Sequence, residues 1–194
     1  MKQSKRSNRK EASRERILKV ASQLVRKKGF RGVGVAEVMN EAGLTHGGFY
    51  AHFDSRDDLL RAAVARADDD IARALDDSLA RLTQEGVGPF RSLVETYLSD
   101  DMIAKRERGC PVAALSTEMP NQPSIVLEAS RSLVRNLHRR VIQVLPGRHP
   151  EESAWTVTST LIGALQLARI LGDNDQGRAV LADTRRELLA LYDT

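Results

Sequence analysis

An all-α fold with about nine helices is what this sequence predicts, and three observations predict it. Aromatic residues make up only 4% of the 194-residue chain, while Ala, Leu, Val and Arg are abundant, a mixture that suits helices better than sheets. Apolar residues recur at intervals of three and four along most of the chain, and no alternating strand pattern or sequence repeat interrupts them. Where the periodicity stops, short Gly-, Pro- and Asn-containing stretches stand in its place.

Residues 1–11 are polar and basic without periodicity and read as a flexible arm. From Ser13 a first helix places Ile17, Leu18, Ala21, Leu24 and Val25 on one face, and Gly29 stops it. Val35 to Ala42 forms a second short helix ending at Gly43, and Thr45 opens a third that runs to about Phe53. Ser55, followed by Asp57 and Asp58, is an N-cap with acidic first-turn residues suited to the helix dipole. The helix it opens is long, with Leu60, Val64, Ala67, Ile71, Leu75, Leu79 and Leu82 along one stripe. Loops at 86–89, 119–123, 146–150 and 172–175 separate further helical patterns near 90–105, 111–117, 124–145, 151–171 and 176–192.

Charge is segregated. Residues 1–60 hold 13 Lys/Arg and 7 Asp/Glu of the chain's 30 and 26, so that end is net positive and the remainder slightly negative. Such asymmetry points to a polyanionic partner for the N-terminal end, most simply nucleic acid. The basic start MKQSKRSNRK lacks the hydrophobic core of a secretory signal, and no apolar run approaches the roughly 20 residues of a membrane span. No membrane partner is therefore expected. One cysteine, Cys110, excludes an internal disulfide framework and fits a reducing cytoplasm.

The informative stretch is GFRGVGVAEVMNEAGLTHGGFYAHFDSRDDLL, residues 29–60. Helix, Gly-containing tight turn and helix is the arrangement that presents a second helix to a DNA major groove. Val38, Ala42 and Leu44 are the expected seam between the two helices, with Phe49 and Phe53 anchoring the reading helix and Gly43 easing the turn.

Gly29-Phe30, Ala42-Gly43-Leu44-Thr45, Gly47, Tyr50-Ala-His52-Phe53 and Ser55-Arg56-Asp57-Asp58-Leu59 together resemble the TetR family of transcriptional repressors over roughly residues 13–60. The rest of the chain resembles that family only in length and helical layout. The resemblance implies a basic arm (1–11), a three-helix DNA-binding domain (12–58) and a helical ligand-sensing and dimerisation domain (59–194). It implies a homodimer on palindromic double-stranded operator DNA, released by a small-molecule or electrophile inducer, with no enzyme activity, cofactor or metal. Arg31, Gly34, Val35, Thr45, His46, Gly47, Gly48, Tyr50, His52 and Arg56 are the implied DNA-binding residues. Thr45 would donate to a phosphate or cap its helix, Tyr50 and His52 would bond phosphates, and Arg56 would add a charged contact. The glycine-rich tip offers few side-chain donors, so either His46 carries most direct base readout or sequence is read partly through DNA shape. Two positions depart from the family pattern. Val33 and Gly34 stand where a hydroxyl residue is usual, and Arg56 stands for the common Lys.

Lys2, Lys5, Arg6, Arg9 and Lys10 give the arm two readings, a groove or phosphate contact ordered by DNA and a solvated tail. For pairing, Trp155, Thr158, Ile162, Leu165 and Leu171 form an apolar face, with Val180, Leu181, Leu188, Leu189 and Tyr192 on the last helix. By resemblance, two helices from each subunit would make a four-helix bundle. By the same resemblance a ligand cavity is expected among Tyr97, Met102, Cys110, Leu115, Met119, Leu137 and Leu161, with Leu93 and Leu133 as further candidates. Cys110 precedes Pro111 at a helix start with Arg106 and Arg108 nearby, a setting that lowers a thiol pKa. Its Gly-Cys-Pro-Val segment is similar to one in electrophile-responsive members of the family. The plainer reading is a small buried residue at a packed helix start.

An enzyme and an architectural DNA protein are the competing classes. The four histidines show no metal-ligand spacing, and no phosphate loop, nucleophile elbow or paired-carboxylate layout is present. An architectural protein would share the basic end but has no need of a large neutral-to-acidic helical domain.

Overall fold

The computed structural model describes residues 2–193, with side chains from Ser7 onward. Among these residues there are nine α-helices, three short 3₁₀ segments and no strand, which bears out the all-α expectation. The helices are α1 (Lys2–Lys28), α2 (Val35–Glu41), α3 (Arg56–Gln84), α4 (Pro89–Tyr97), α5 (Asp101–Ala104), α6 (Pro111–Leu115), α7 (Ser124–Val144), α8 (Pro150–Leu171) and α9 (Asp175–Tyr192).

Helix α1 begins far ahead of Ser13. The backbone of residues 2–11 continues it, where the sequence suggests a flexible arm. Nothing there breaks a helix, because Lys, Arg, Glu, Gln and Ser all tolerate helical backbone at small cost. The side chains of Lys2, Lys5 and Arg6 lie outside the described residues. Ile17, Ala21, Leu24 and Val25 are buried, and Gly29 ends the helix at φ 76°, where Arg26, Lys27 and Lys28 complement the dipole.

Helix α3 is the spine of the molecule. Ser55 caps it by accepting the Asp58 N–H at 3.1 Å, and Leu60, Val64, Ala67, Ile71, Leu75 and Leu82 are buried along the expected stripe. It packs on α1, α4 and α7, so one rigid rod joins the N-terminal three-helix unit to the C-terminal helices. Arg26 and Arg66 both reach Asp70, at 3.1 and 2.8 Å, and Arg66 also reaches Glu15 at 2.5 Å, riveting α1 to α3. Burial alone would push the Asp70 carboxyl up, but the Arg66 hydrogen bond and the charges of Arg26 and Arg66 hold it below the usual carboxylate range.

Helices α8 and α9 form an antiparallel pair beside α7. Asn174 caps α9 by accepting the N–H groups of Gln176 and Gly177 at 3.0 and 3.1 Å. Helix α8 is apolar on nearly all sides. Val157, Leu161, Ala164, Leu165 and Ala168 enter the core, while Trp155, Leu167, Ile170 and Leu171 remain exposed. By length and composition this helix just qualifies as a membrane span, at a mean hydropathy of 1.2, which the sequence expectation passed over. A core helix with a second apolar face produces the same composition.

Candidate nucleic-acid interface

The turn between α2 and the next element is built as expected. Gly43 takes φ 68°, its N–H bonds the Asn40 carbonyl, and the Leu44 N–H bonds the Met39 carbonyl at 2.9 Å. Val38 and Ala42 are buried in the seam and Leu44 is half-buried. The reading element itself is a 3₁₀ helix over His46–Ala51, not the α-helix expected. Two glycines in six residues remove the propensity that sustains α-helix, and the tighter form suits so short a segment.

Phe49 and Phe53 fix this element in place. Their rings are stacked with centroids 5.7 Å apart, and both are essentially inaccessible. Arg14 lies 4.4 Å over the Phe53 ring and donates to the His52 carbonyl at 2.5 Å, so α1 clamps the far end of the segment. Sequence reasoning gave Arg14 no role, since no local spacing links it to a residue 38 positions away.

The opposite face is bare. Thr45, His46, Gly47 and Tyr50 are exposed, and Arg31 and Gly34 stand on the same unit, also exposed. Thr45 does not cap the 3₁₀ helix with its side chain, which leaves the hydroxyl free. The Tyr50 ring packs edge-on against Phe49, 5.2 Å between centroids, and is 72% exposed, which holds its hydroxyl outward on a rigid base. Gly47 has open space where a Cβ would stand, and Gly48 has only ordinary contacts, so the fold itself does not demand glycine at either position.

Four of the positions singled out in the sequence have other employment. Val33, at the position lacking the usual hydroxyl, is a core residue, and Val35 is half-buried against the same core. Arg56 turns back onto the protein, its Nη2 donating to the Phe30 carbonyl at 2.5 Å and its Nε to that of Val33 at 3.3 Å. It braces the turn after α1, with one terminal nitrogen left over. His52 is half-buried, and burial together with the charges of Lys10 and Arg14 pushes its pKa below the ordinary histidine value.

In the C-terminal half, the expected cavity residues are mostly core, and Leu93 borders a small recess between α3, α4 and α7. Tyr97, Cys110, Leu115, Met119, Leu137 and Leu161 are buried core, Leu93 and Leu133 likewise, and Met102 packs half-buried beside them. An open cleft of about 900 Å³ lies instead between the end of α1, α6 with the turn after it, and α8. Cys110 is 2% exposed, and burial pushes its thiol up, against the opposing pull of Tyr97, of the Ala113 and Val112 N–H groups and of the Arg169 charge. The lowered pKa suggested by its neighbours in sequence is thereby corrected. Arg106 points instead to the Arg169 carbonyl, at 2.7 Å.

The pairing residues divide. Thr158, Leu165 and Leu188 face the subunit's own core, as does Leu181, while Ile162, Val180, Leu189 and Tyr192 are half-buried and Trp155 is 55% exposed. Leu167, Ile170 and Leu191, which a single-stripe reading of the helices missed, are the other exposed large apolar groups there, with Leu171.

A helical hairpin held by a three-helix core, its tip exposed, ahead of a separate helical body, defines the class of helix-turn-helix DNA-binding regulators. Residues 17–63 match the profile of bacterial regulatory proteins of the tetR family. The chain is 27% identical over 188 residues to an uncharacterized HTH-type transcriptional regulator of Mycobacterium tuberculosis, covering 91% of this chain and 94% of that one. It is 27% identical over 133 residues to the HTH-type transcriptional repressor NemR of Escherichia coli, covering 69% of this chain and 65% of NemR. The reduced form of E. coli NemR superposes with a TM-score of 0.76 at 19% identity over 93% and 98% of the two chains. A TetR transcriptional regulator from Chloroflexus aurantiacus gives 0.77 at 21% identity over 94% and 95%. Residues 17–63 thus carry the DNA-binding pattern of the tetR family, and the fold of the whole chain is the one seen in these solved regulators.

Proposed function

We propose that the chain is a cytoplasmic repressor that binds a palindromic operator as a homodimer and releases it when a small inducer occupies the C-terminal body. The observation that carries the reading is the bare tip of residues 45–50 on a braced aromatic base. A rigid element that leaves hydroxyls, an imidazole and open glycines to solvent is prepared for a surface that approaches closely. We assign residues 12–58 to DNA binding and 59–194 to sensing and pairing; α3 begins at Arg56 and runs across that boundary. Thr45, His46, Gly47, Gly48, Tyr50 and His52 are the proposed contacts, with Arg31 and the free nitrogen of Arg56 at the edge.

One head gives weak affinity, and two half-sites about 34–36 Å apart need two heads. The exposed apolar residues Trp155, Leu167, Ile170 and Leu171 of α8 and Leu191 of α9 supply a surface for a second copy. Repression follows from occupancy, because a dimer across a promoter excludes polymerase. Release by modification of Cys110 is the weaker alternative, since its thiol is buried and held protonated.

Selection of genomic fragments retained by the full-length protein tests the reading. A short palindrome shared by the fragments is expected, and retention without a common sequence would leave an architectural protein instead.

A further inference from the structure

The cleft between α1, α6 and α8 is strongly cationic. Arg26, Lys27, Lys28, Arg106 and Arg169 line it, against one carboxylate, Glu118. Surface lysines would be unremarkable, but two of these groups are buried guanidiniums with unused donors.

Arg169 is 6% exposed. Its Nε donates to the Met102 carbonyl at 3.1 Å, while Nη1 and Nη2 are buried without any partner among the described residues. Arg26, 4% exposed, gives one nitrogen to Asp70 and leaves Nη1 buried and unpartnered. A guanidinium does not shed its proton in a protein, so burial without an anion is costly. Arg169 is also held where it is. Its guanidinium packs against the bare backbone of Gly109, where a side chain would have to displace it.

Arg169 and Arg26 both border the cleft, and their buried charge, answered only in part by Asp70, favours an anion there. The rest of the cleft favours an organic body behind that charge, because Ala113, Ala114, Leu167 and Ile170 contribute apolar wall. Leu167 and Ile170 belong also to the α8 face proposed for pairing, which places the cleft at the rim of that interface.

We propose that this cleft is the effector site and that its ligand is a small organic carboxylate, its anionic group held by the concentrated positive charge of Arg26, Lys27, Arg106 and Arg169. Glu118 connects the site to the DNA reader. It lines the cleft, and its Oε2 accepts the Phe30 N–H at 3.0 Å. An anion entering the cleft repels this carboxylate and loosens its hold on the turn that carries the reading unit. As an effector site it rests on the reading of the chain as an inducible DNA-binding regulator; as a binding site it stands by itself.

The test uses the full-length protein and two separate readouts. Acetate, benzoate and octanoate are each titrated calorimetrically beside acetamide, benzamide and octanamide, with inorganic phosphate as a bare oxyanion. At least one carboxylate is expected to bind about tenfold or more tightly than its amide. Arg169→Gln is expected to abolish that preference. Lys27→Glu, on an exposed residue whose change leaves the core intact, is expected to weaken carboxylate binding several-fold and decides the matter if Arg169→Gln fails to fold. Equal binding of acids and amides, no carboxylate binding, tighter binding of phosphate than of any carboxylate, or unchanged affinity in Lys27→Glu would overturn the proposal. Operator affinity is measured with and without the bound carboxylate. Binding that leaves it unchanged overturns the effector role, whereas failure to bind any operator in the absence of carboxylates overturns the regulator reading instead.

Discussion

Glu118 accepts a hydrogen bond from the backbone N–H of Phe30 at 3.0 Å, joining two residues 88 positions apart, one in the turn after α1 and one in the turn after α6. The contact falls where α1 turns at Gly29, immediately ahead of the reading unit, and the carboxylate packs on Gly29, whose left-handed backbone at φ 76° disfavours a side chain. A carboxylate-accepted bond of this kind contributes about 1.5–3 kcal/mol. Glu118→Ala is therefore expected to lower stability by about that much and to uncouple effector binding from operator release. Denaturant unfolding and an operator-release assay on the same variant check both halves; unaltered coupling would remove Glu118 from the mechanism.

Gly47→Ala separates folding from DNA recognition. A Cβ there meets no atom, and the backbone lies outside the left-handed region, so loss of unfolded-state freedom should raise stability by about 0.4–1 kcal/mol. If the tip enters a groove, the added methyl obstructs close approach and operator affinity falls. A thermal melt that rises together with a binding curve that weakens is the expected pair. Unchanged binding would move the interface away from Gly47.

Two leucine-type changes on α8 distinguish pairing from core. Ile170 is 80% exposed, and Ile170→Glu is expected to yield a folded monomer by light scattering, with operator affinity lost through the missing second head. Leu165 is fully buried, and Leu165→Ala should cost about 2–5 kcal/mol while leaving the subunit count unchanged. A dimeric Ile170→Glu protein would relocate the interface.

Asp70 gives the molecule an acid limit. Its folded-state carboxyl is held below the ordinary value of about 3.9, so the Arg26–Asp70–Arg66 linkage contributes fully above that value. The contribution disappears as pH falls through the lower folded-state value. Asp68 has the opposite sign, because burial pushes its carboxyl up despite the hydrogen bond from Asn136, and its contribution favours folding at lower pH and is lost as pH rises through the raised value. Melting temperatures of wild type and Asp70→Asn between pH 7 and pH 3 are expected to converge toward the acid end. Parallel curves would place the acid limit elsewhere.

Local chemistry was legible in the sequence and long-range chemistry was not. Gly29, Gly43, Ser55 and the α3 stripe act through neighbours within a few positions, and each does in the structure what its spacing implies. Phe49 and Phe53 were equally readable, being large apolar groups four residues apart. Arg56, in contrast, reads as a DNA contact from its charge, yet it bonds carbonyls 23 and 26 residues back. On α8 both faces are apolar, so periodicity assigned Leu165 and Thr158 to the outside and overlooked Leu167 and Ile170. The cationic cleft joins residues 26–29, 106–118 and 163–170, and no motif spans that separation. Cys110 shows the same limit: neighbouring arginines in sequence suggested a reactive thiolate, and burial decided otherwise.

Footprinting of one selected operator by wild type and His46→Ala tests the central claim most directly. The account predicts two protected half-sites about one helical turn apart for wild type, and loss of that protection at equal concentration for His46→Ala. Protection spread along the fragment, the same for both proteins, would contradict it.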